Sequence, residues 1–221
     1  MGRALDTVTI HGFKSIESLE KFQLKKLNVL IGANGAGKSN FVDFFRMLRA
    51  LADEAFQQYV NDAGGGDGFF FLGPKKTSQI TARLDFGPNA YEFTLKPTAK
   101  GSLQIAEEHA KYASSSRSLS FGSMESALKK NKDAKSSVYS GYAGIEHYVY
   151  SSVSSWTVYH FHDTSPLAPM RRDQAVQDWQ RFRHDASNIA PFLLNLREDE
   201  PNSYQLIRET DRLIAPFFDD F

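Results

Sequence analysis

An α/β fold is predicted by three consecutive features in the first third of the 221-residue chain. An apolar run, Leu27–Ile31, has the composition of a buried strand. A glycine-rich stretch, Gly32–Asn40, follows it directly. Apolar side chains then recur at helical spacing from residue 38 to about residue 60, which predicts an amphipathic helix packed on a sheet. A strand, a glycine-rich turn and a helix in this order place the turn at the centre of the fold.

The glycine-rich stretch matches the pattern G-x-x-x-x-G-K-[ST], which cradles nucleotide phosphates. Its glycines let backbone N–H groups turn inward, and the start of the following helix adds a positive dipole end. We expect Lys38 to reach the β- and γ-phosphates of ATP and Ser39 to offer its hydroxyl to Mg²⁺. The alternative, a plain surface turn with a solvated lysine, requires that four fixed positions match by chance. The predicted binding residues are Gly32, Ala33, Asn34, Gly35, Ala36, Gly37, Lys38, Ser39 and Asn40.

The composition is typical of a globular protein, with 41% hydrophobic and 24% charged residues. The length allows one large domain or one domain with an appendage, and we expect one domain. The 26 basic and 26 acidic residues cancel, so no global field draws the chain to nucleic acid or to an anionic membrane. The chain has no cysteine, which excludes disulfides and thiolate metal sites and fits the reducing cytoplasm. We find no signal-peptide or membrane-spanning pattern, so we expect no membrane association.

Strand patterns occur on both sides of the glycine-rich stretch. Residues 6–16 predict an edge strand and Leu24–Ile31 a second, more buried strand, with a charged turn between them. Residues 79–86 and 91–95 alternate apolar with polar side chains, which predicts an antiparallel hairpin. A third strand is expected near residues 103–108.

The second half of the chain has weaker patterns. The Ser- and Lys-rich stretch of residues 114–140 predicts a mobile insertion or lid. The best strand pattern there is Trp156–Phe161, and helices are predicted after Asp185 and Pro201. We therefore divide the chain into an ATP-binding lobe and a helical segment, residues 1–165 and 166–221.

The stretch Gly32–Asn40, preceded by Phe13-Lys14-Ser15, resembles the RecF, SMC and OLD-like branch of the ABC-type ATPases. Asn34 and Asn40 distinguish this branch, because small GTPases and most nucleotide kinases do not usually carry asparagine at these positions. Three further segments look like the bacterial predicted AAA-family ATPases of the RecF-like type. They are Tyr159–Ser165, Asp185–Ala190 and Ile214–Phe221.

The resemblance implies the N-terminal lobe of a P-loop NTPase of the ABC-ATPase type, with a mixed or antiparallel sheet, a P-loop helix and a helical C-terminal part. In that family the Walker B strand, the ABC signature and a switch histidine follow in a C-terminal half. The complete enzyme is expected to be a homodimer that sandwiches ATP and serves DNA maintenance, DNA repair or antiphage defence, with a nuclease or DNA as a further partner. The chain alone is then expected to bind ATP with little or no turnover.

No catalytic residue is identified in the sequence. Leu119–Ser123 resembles an ABC signature and Leu213–Asp220 a Walker B strand, but the first lies in a Ser-rich stretch and the second contains Pro216 and helical spacing. His160 and His162 lack further metal ligands nearby. Glu107 and Glu108 point to opposite faces of a strand, and we interpret them as a solvated edge.

Two other functions remain open. A regulatory module that binds a nucleotide without hydrolysing it is favoured by the missing Walker B strand. A P-loop phosphotransferase acting on a small molecule is disfavoured by Asn40, by the early hairpin and by the lack of an arginine-bearing lid. A locally basic stretch offers a contact for a DNA backbone, although aspartates dilute it. Its members are Arg171, Arg172, Arg181, Arg183 and His184, with Trp179 and Phe182 between them.

Overall fold

The computed structural model describes residues 3–135, 143–159, 161, 165 and 167–221. The chain divides into two compact units, Met1–Trp156 and Thr157–Phe221. None of the helices in these described ranges is long and apolar enough to span a membrane.

The first unit is built on a six-stranded, fully antiparallel sheet in the order β2-β1-β3-β4-β5-β6. In the described part of this unit three helices accompany the sheet, and a short 3₁₀ turn, Asp67–Phe69, follows the second of them. The strands are β1 (Thr7–Phe13), β2 (Ile16–Gln23), β3 (Ile80–Phe86), β4 (Asn89–Pro97), β5 (Leu103–Tyr112) and β6 (Ser115–Ser123). The helices are α1 (Lys38–Asp53), α2 (Phe56–Asp62) and α3 (Ile145–Val153).

One face of the sheet forms the core. Alternate side chains of β1, β3 and β4 are buried and pack with the apolar faces of the helices, as expected for an antiparallel sheet with one solvated face. The core is rich in aromatic rings, and Phe44 of α1 lies 5.5 Å edge-to-face from Phe13. The opposite face is polar, with Arg83 paired to both Asp85 and Glu92. The predicted hairpin and the third strand are therefore confirmed as β3, β4 and β5.

The second predicted strand is wrong. Residues 17–23, expected to be a charged turn, form the edge strand β2 together with Ile16, whereas residues 24–31 belong to no strand. Strand β1, predicted to be an edge strand, therefore lies between β2 and β3. Strand β2 was not recognised from the sequence because its pairing with β1 is irregular. The register shifts between Val8 and Ile10, and Lys21 adopts a positive φ of 42°. This irregularity breaks the simple alternation by which a strand is recognised.

The predicted long helix is interrupted. Helix α1 ends before Glu54, which has the left-handed φ of 60°, and α2 starts two residues later. The Glu125 carboxylate accepts hydrogen bonds from the backbone N–H groups of Phe56 (3.0 Å) and Gln57 (2.9 Å). Glu125 therefore caps the start of α2 from a position distant in the chain. The local apolar spacing gives no sign of this second helix start.

Two further predictions in the second half need correction. The predicted insertion contains β6, a Ser-rich edge strand paired with β5, and its residues 136–140 lie outside the described residues. Polar side chains dominate this segment, so the sequence shows no strand pattern there. An exposed edge strand tolerates such side chains. The strand predicted from Trp156 is absent from the described residues, because Trp156–Tyr159 has no regular secondary structure. Helix α3 ends shortly before this segment, at Val153.

The residues described in the second unit form two adjacent helices, α4 (Ile189–Asp199) and α5 (Pro201–Ile214), which confirms both predicted helices. A short 3₁₀ turn, Pro169–Arg171, precedes them. The buried Asn188 anchors the entry to α4: its amide donates to the carbonyls of Asp178 (2.7 Å) and Arg181 (2.9 Å). Its side-chain oxygen accepts from the N–H of Arg183 (2.9 Å), so both amide hydrogens and the oxygen of this side chain have local partners.

Candidate nucleotide-binding site

The predicted phosphate loop is an exposed turn that leads directly into α1. Gly35 (φ 83°) and Gly37 (φ 88°) both adopt the left-handed conformation that side chains disfavour. Gly37 is the residue immediately before α1, and a Cβ placed on it would lie 2.6 Å from the Ser15 hydroxyl oxygen. Both its backbone conformation and its close neighbour therefore require glycine at position 37.

The Lys38 side chain folds back along the loop. Its ammonium donates hydrogen bonds to the backbone carbonyls of Gly32 (2.7 Å) and Ala33 (2.8 Å). An ammonium has three N–H donors, so one donor remains for an anion. This conformation places a positive charge over the loop backbone.

The first turn of α1 is open to an anion. It contains no acidic residue, and no side chain caps its N–H groups. These N–H groups lack carbonyl partners within the helix and carry the positive end of the helix dipole. Ser39 lies in this turn with an exposed side chain, and its hydroxyl makes no hydrogen bond to the described part of the chain. The donor set fits a phosphate chain, and the free hydroxyl fits a role as a ligand of Mg²⁺.

The turn between β1 and β2 lies beside the loop, which sequence reasoning did not predict. The Asn40 side-chain amide donates to the Ser15 hydroxyl oxygen (2.8 Å). The Lys14 ammonium pairs with the Asp43 carboxylate one helical turn further along α1. The adjacent Tyr59 stays a neutral phenol, because burial and then its proximity to Asp43 raise its pKa above the usual value. The Phe13-Lys14-Ser15 motif was visible in the sequence, but its contact with the loop was not.

The carboxylates of the described residues make no contact with the loop. In residues 3–135, 143–159, 161, 165 and 167–221, no Asp or Glu side chain forms a hydrogen bond or ion pair with Gly32–Asn40. No cluster of three potential metal ligands occurs in the same ranges. Ser39 remains the candidate Mg²⁺ ligand predicted from the motif.

The two strand carboxylates have opposite surroundings. Glu107 is exposed, as expected, whereas Glu108 is fully buried, so its predicted place on a solvated edge is wrong. The register of β4 and β5 shifts between Thr94 and Leu95, which turns Glu108 toward the core. A carboxylate with no exposed surface and no contact with the loop is unsuited to act as a general base.

Glu108 is held by four donors. The hydroxyls of Tyr91 (2.7 Å), Ser120 (2.6 Å) and Ser126 donate to its two oxygens, and so does the backbone N–H of Ala127 (2.9 Å). Burial, followed by the negative charge of Glu108, raises the pKa of Tyr91 well above its usual value. The phenol therefore remains a hydrogen-bond donor across the ordinary pH range.

The other sequence candidates are not brought together at the loop. Leu119–Ser123 lies in edge strand β6, and the segment from Leu213 ends α5 and continues without a strand, so neither has the structure of the motif it resembles. His160, His162 and Asp163 lie outside the described residues.

The basic stretch is only partly available. Arg183 pairs with Asp178 (3.0 Å), and the Arg172 guanidinium donates to the Leu167 carbonyl. Phe182 packs in an aromatic cluster of the second unit, with its ring centroid 4.9 Å from that of Phe192. All five basic side chains are exposed, as is part of Trp179, but in the described residues those of Arg171, Arg181 and His184 form no hydrogen bond or ion pair.

Comparison with protein families gives a match over most of the chain. The model of the family described as "AAA domain, putative AbiEii toxin, Type IV TA system" matches residues 27–217. The matched range begins at the apolar run before the loop and extends beyond the end of α5. The chain therefore belongs to this family and is an AAA-family nucleotide-binding domain of the P-loop α/β class.

Proposed function

We propose that the chain is the ATP-binding lobe of a RecF-, SMC- and OLD-like ABC-type ATPase. The observation that carries this proposal is the left-handed glycine loop at the open start of α1, with the Lys38 ammonium above it. Backbone N–H groups of the loop bind the phosphates, Lys38 contacts the β- and γ-phosphates, and Ser39 ligates Mg²⁺. A bound Mg²⁺ held by Ser39 would neutralise negative charge on the phosphates. Asn34 and Asn40 favour this branch of the P-loop proteins.

The exposure of the apolar run Leu27–Ile31 supports the proposal that a further segment covers it. Leu27, Val29 and Ile31 are 80%, 71% and 91% exposed, and no backbone hydrogen bond joins Val29–Ile31 to another described segment. Burying an aliphatic side chain contributes about 1.5–3 kcal/mol, so this exposure leaves a large stabilisation unused. A strand of this composition normally has neighbours on both sides. We propose that a C-terminal ATPase half supplies them.

The biological setting follows from the same proposal. The complete protein is expected to form a homodimer around ATP and to work in the cytoplasm, with a nuclease or DNA as a further partner. The AbiEii toxin named in the family description supports antiphage defence over DNA maintenance or repair. Arg171 and Arg181 are exposed cations of the basic stretch that a DNA backbone could contact.

A second function is favoured by the chemistry around the loop. A regulatory module that binds ATP without hydrolysis needs the phosphate loop but no general base, and no described carboxylate contacts Gly32–Asn40. The small-molecule phosphotransferase has no comparable support. Turnover by the complete protein separates an ATPase from a regulatory module.

The loop itself is tested by Gly37→Ala. We expect Mg·ATP affinity, measured by calorimetry, to fall at least about tenfold, because backbone strain at such a site costs on the order of 1–3 kcal/mol. The clash with Ser15 adds to this strain. Gly122→Ala is the matched control: Gly122 has a φ of 62° and open space around it, and it lies in β6 at the opposite edge of the sheet. Wild-type affinity in Gly37→Ala would place the phosphates elsewhere.

The chain of residues 1–221 is expected to bind Mg·ATP with little or no turnover. Hydrolysis requires a positioned water, a base and charge stabilisation beyond the γ-phosphate, whereas the loop supplies only the near side. A longer chain that carries a Walker B strand is expected to restore phosphate release and nucleotide-dependent dimerisation. A phosphate-release assay compares the two proteins. Robust turnover by the short chain, abolished by Asp219→Asn, would show that a carboxylate of this chain is catalytic.

A further inference from the structure

The phosphate loop has few links to the rest of the fold. Within the described residues, the only side-chain hydrogen bond that joins Gly32–Val42 to another element is the one from Asn40 to the Ser15 hydroxyl. The remaining hydrogen bonds of the loop are internal, such as that from the Ala36 N–H to the Ala33 carbonyl. The conformation of the loop therefore depends strongly on this one contact.

Ser15 contacts the loop at its most constrained residue. The Ser15 hydroxyl oxygen lies 2.6 Å from the position that a Cβ on Gly37 would occupy. It thus covers the left-handed residue from which α1 starts, while Asn40 holds that hydroxyl from the first turn of the helix. Rotation of the Gly37 backbone would have to displace Ser15.

The turn that carries Ser15 is itself anchored to the core. The Lys14 N–H donates to the Phe69 carbonyl (2.8 Å), and the Lys14 ammonium lies 4.9 Å from the centre of the Phe69 ring while pairing with Asp43. Phe13 packs edge-to-face on Phe44 of α1. Ser15 is therefore presented to the loop from a fixed position.

We propose that Ser15 and Asn40 are positioning residues for the nucleotide site. Their hydrogen bond holds Gly37 and the first turn of α1 in the phosphate-binding conformation, and neither side chain touches the nucleotide. This inference rests on the proposed ATP binding. It assigns to Asn40 a role through Ser15 in place of a direct contact with ATP.

The test is a double-mutant cycle on Mg·ATP affinity, with Ser15→Ala, Asn40→Ala and the double variant. Each single variant is expected to bind about five- to tenfold more weakly, the size of one lost hydrogen bond. The double variant should bind no more weakly than either single variant, because both remove the same bond. Melting temperatures should stay close to the wild-type value, since Ser15 is exposed and its bond is not part of the core.

Two controls separate positioning from other roles. Ser15→Thr keeps the hydroxyl and should retain wild-type affinity, and Ser18→Ala, at an exposed serine of the same hairpin, should have no effect. Independent, multiplied losses in the double variant would show that Asn40 contacts the nucleotide directly and would overturn the proposal. So would wild-type affinity in Ser15→Ala. A wild-type protein that binds no Mg·ATP would instead contradict the proposed function.

Discussion

Lys38→Ala is expected to lower the affinity for Mg·ATP by about 100-fold, because a hydrogen bond between charged groups contributes about 1.5–3 kcal/mol and each 1.4 kcal/mol is tenfold. The Lys38 ammonium is the one cation that the structure places against the loop backbone in the described residues. Its removal leaves the triphosphate the N–H groups of the loop and of α1, together with the Mg²⁺ that Ser39 is proposed to hold. Calorimetric titration of both proteins with Mg·ATP measures the loss.

Lys26→Ala is the matched control for this prediction. Lys26 is exposed and precedes the same apolar run, so its removal changes the net charge equally without touching the loop. Lys38→Ala should unfold at nearly the wild-type temperature, because the carbonyls it releases, Gly32 and Ala33, are exposed and gain water as a partner. Equal affinity in wild type and Lys38→Ala would move the phosphate site away from the loop.

The sequence predicted those parts of the fold whose cause is local. The hairpin of β3 and β4 follows from two alternating segments on either side of Gly87, which has a positive φ of 64°. The start of α1 at Lys38 follows from the glycine motif and the helical period after it. Both patterns involve residues that are close in the chain, so their interactions can be inferred without a tertiary structure.

The parts that were missed depend on distant residues. The carboxylate of Glu125 caps α2 from far along the chain, and the register shift in β5 turns Glu108 inward. In the site, the motif predicted the loop and its lysine, but the packing of Ser15 on Gly37 arises from the β1–β2 hairpin. The run Leu27–Ile31 has a strand composition, yet in this chain no neighbouring strand pairs with it in the described residues. Composition predicts what a segment can form, whereas pairing requires a partner.

Glu108→Ala is expected to destabilise the first unit by about 3 kcal/mol or more, because it leaves several buried donors without an acceptor. The orphaned groups are the hydroxyls of Tyr91 and Ser126 and the N–H of Ala127, while Ser120 can turn to solvent from the edge strand. Tyr91 is only 1% exposed, so water cannot readily replace the lost carboxylate. Urea unfolding followed by circular dichroism measures the change.

Glu107→Ala supplies the control, because it removes the same carboxylate from the adjacent position on the exposed face of β5. Its side chain is 57% exposed, and its only ion pair is a 3.8 Å contact with His109 in the described structure, so we expect a change within about 0.5 kcal/mol. The loss of unfolding free energy in Glu108→Gln should lie between those of Glu108→Ala and Glu107→Ala. The amide keeps one acceptor oxygen but turns an NH₂ group toward existing donors. A free energy of unfolding for Glu108→Ala within about 1 kcal/mol of wild type would show that the buried carboxylate is not what ties β4, β5 and β6 to the segment after them.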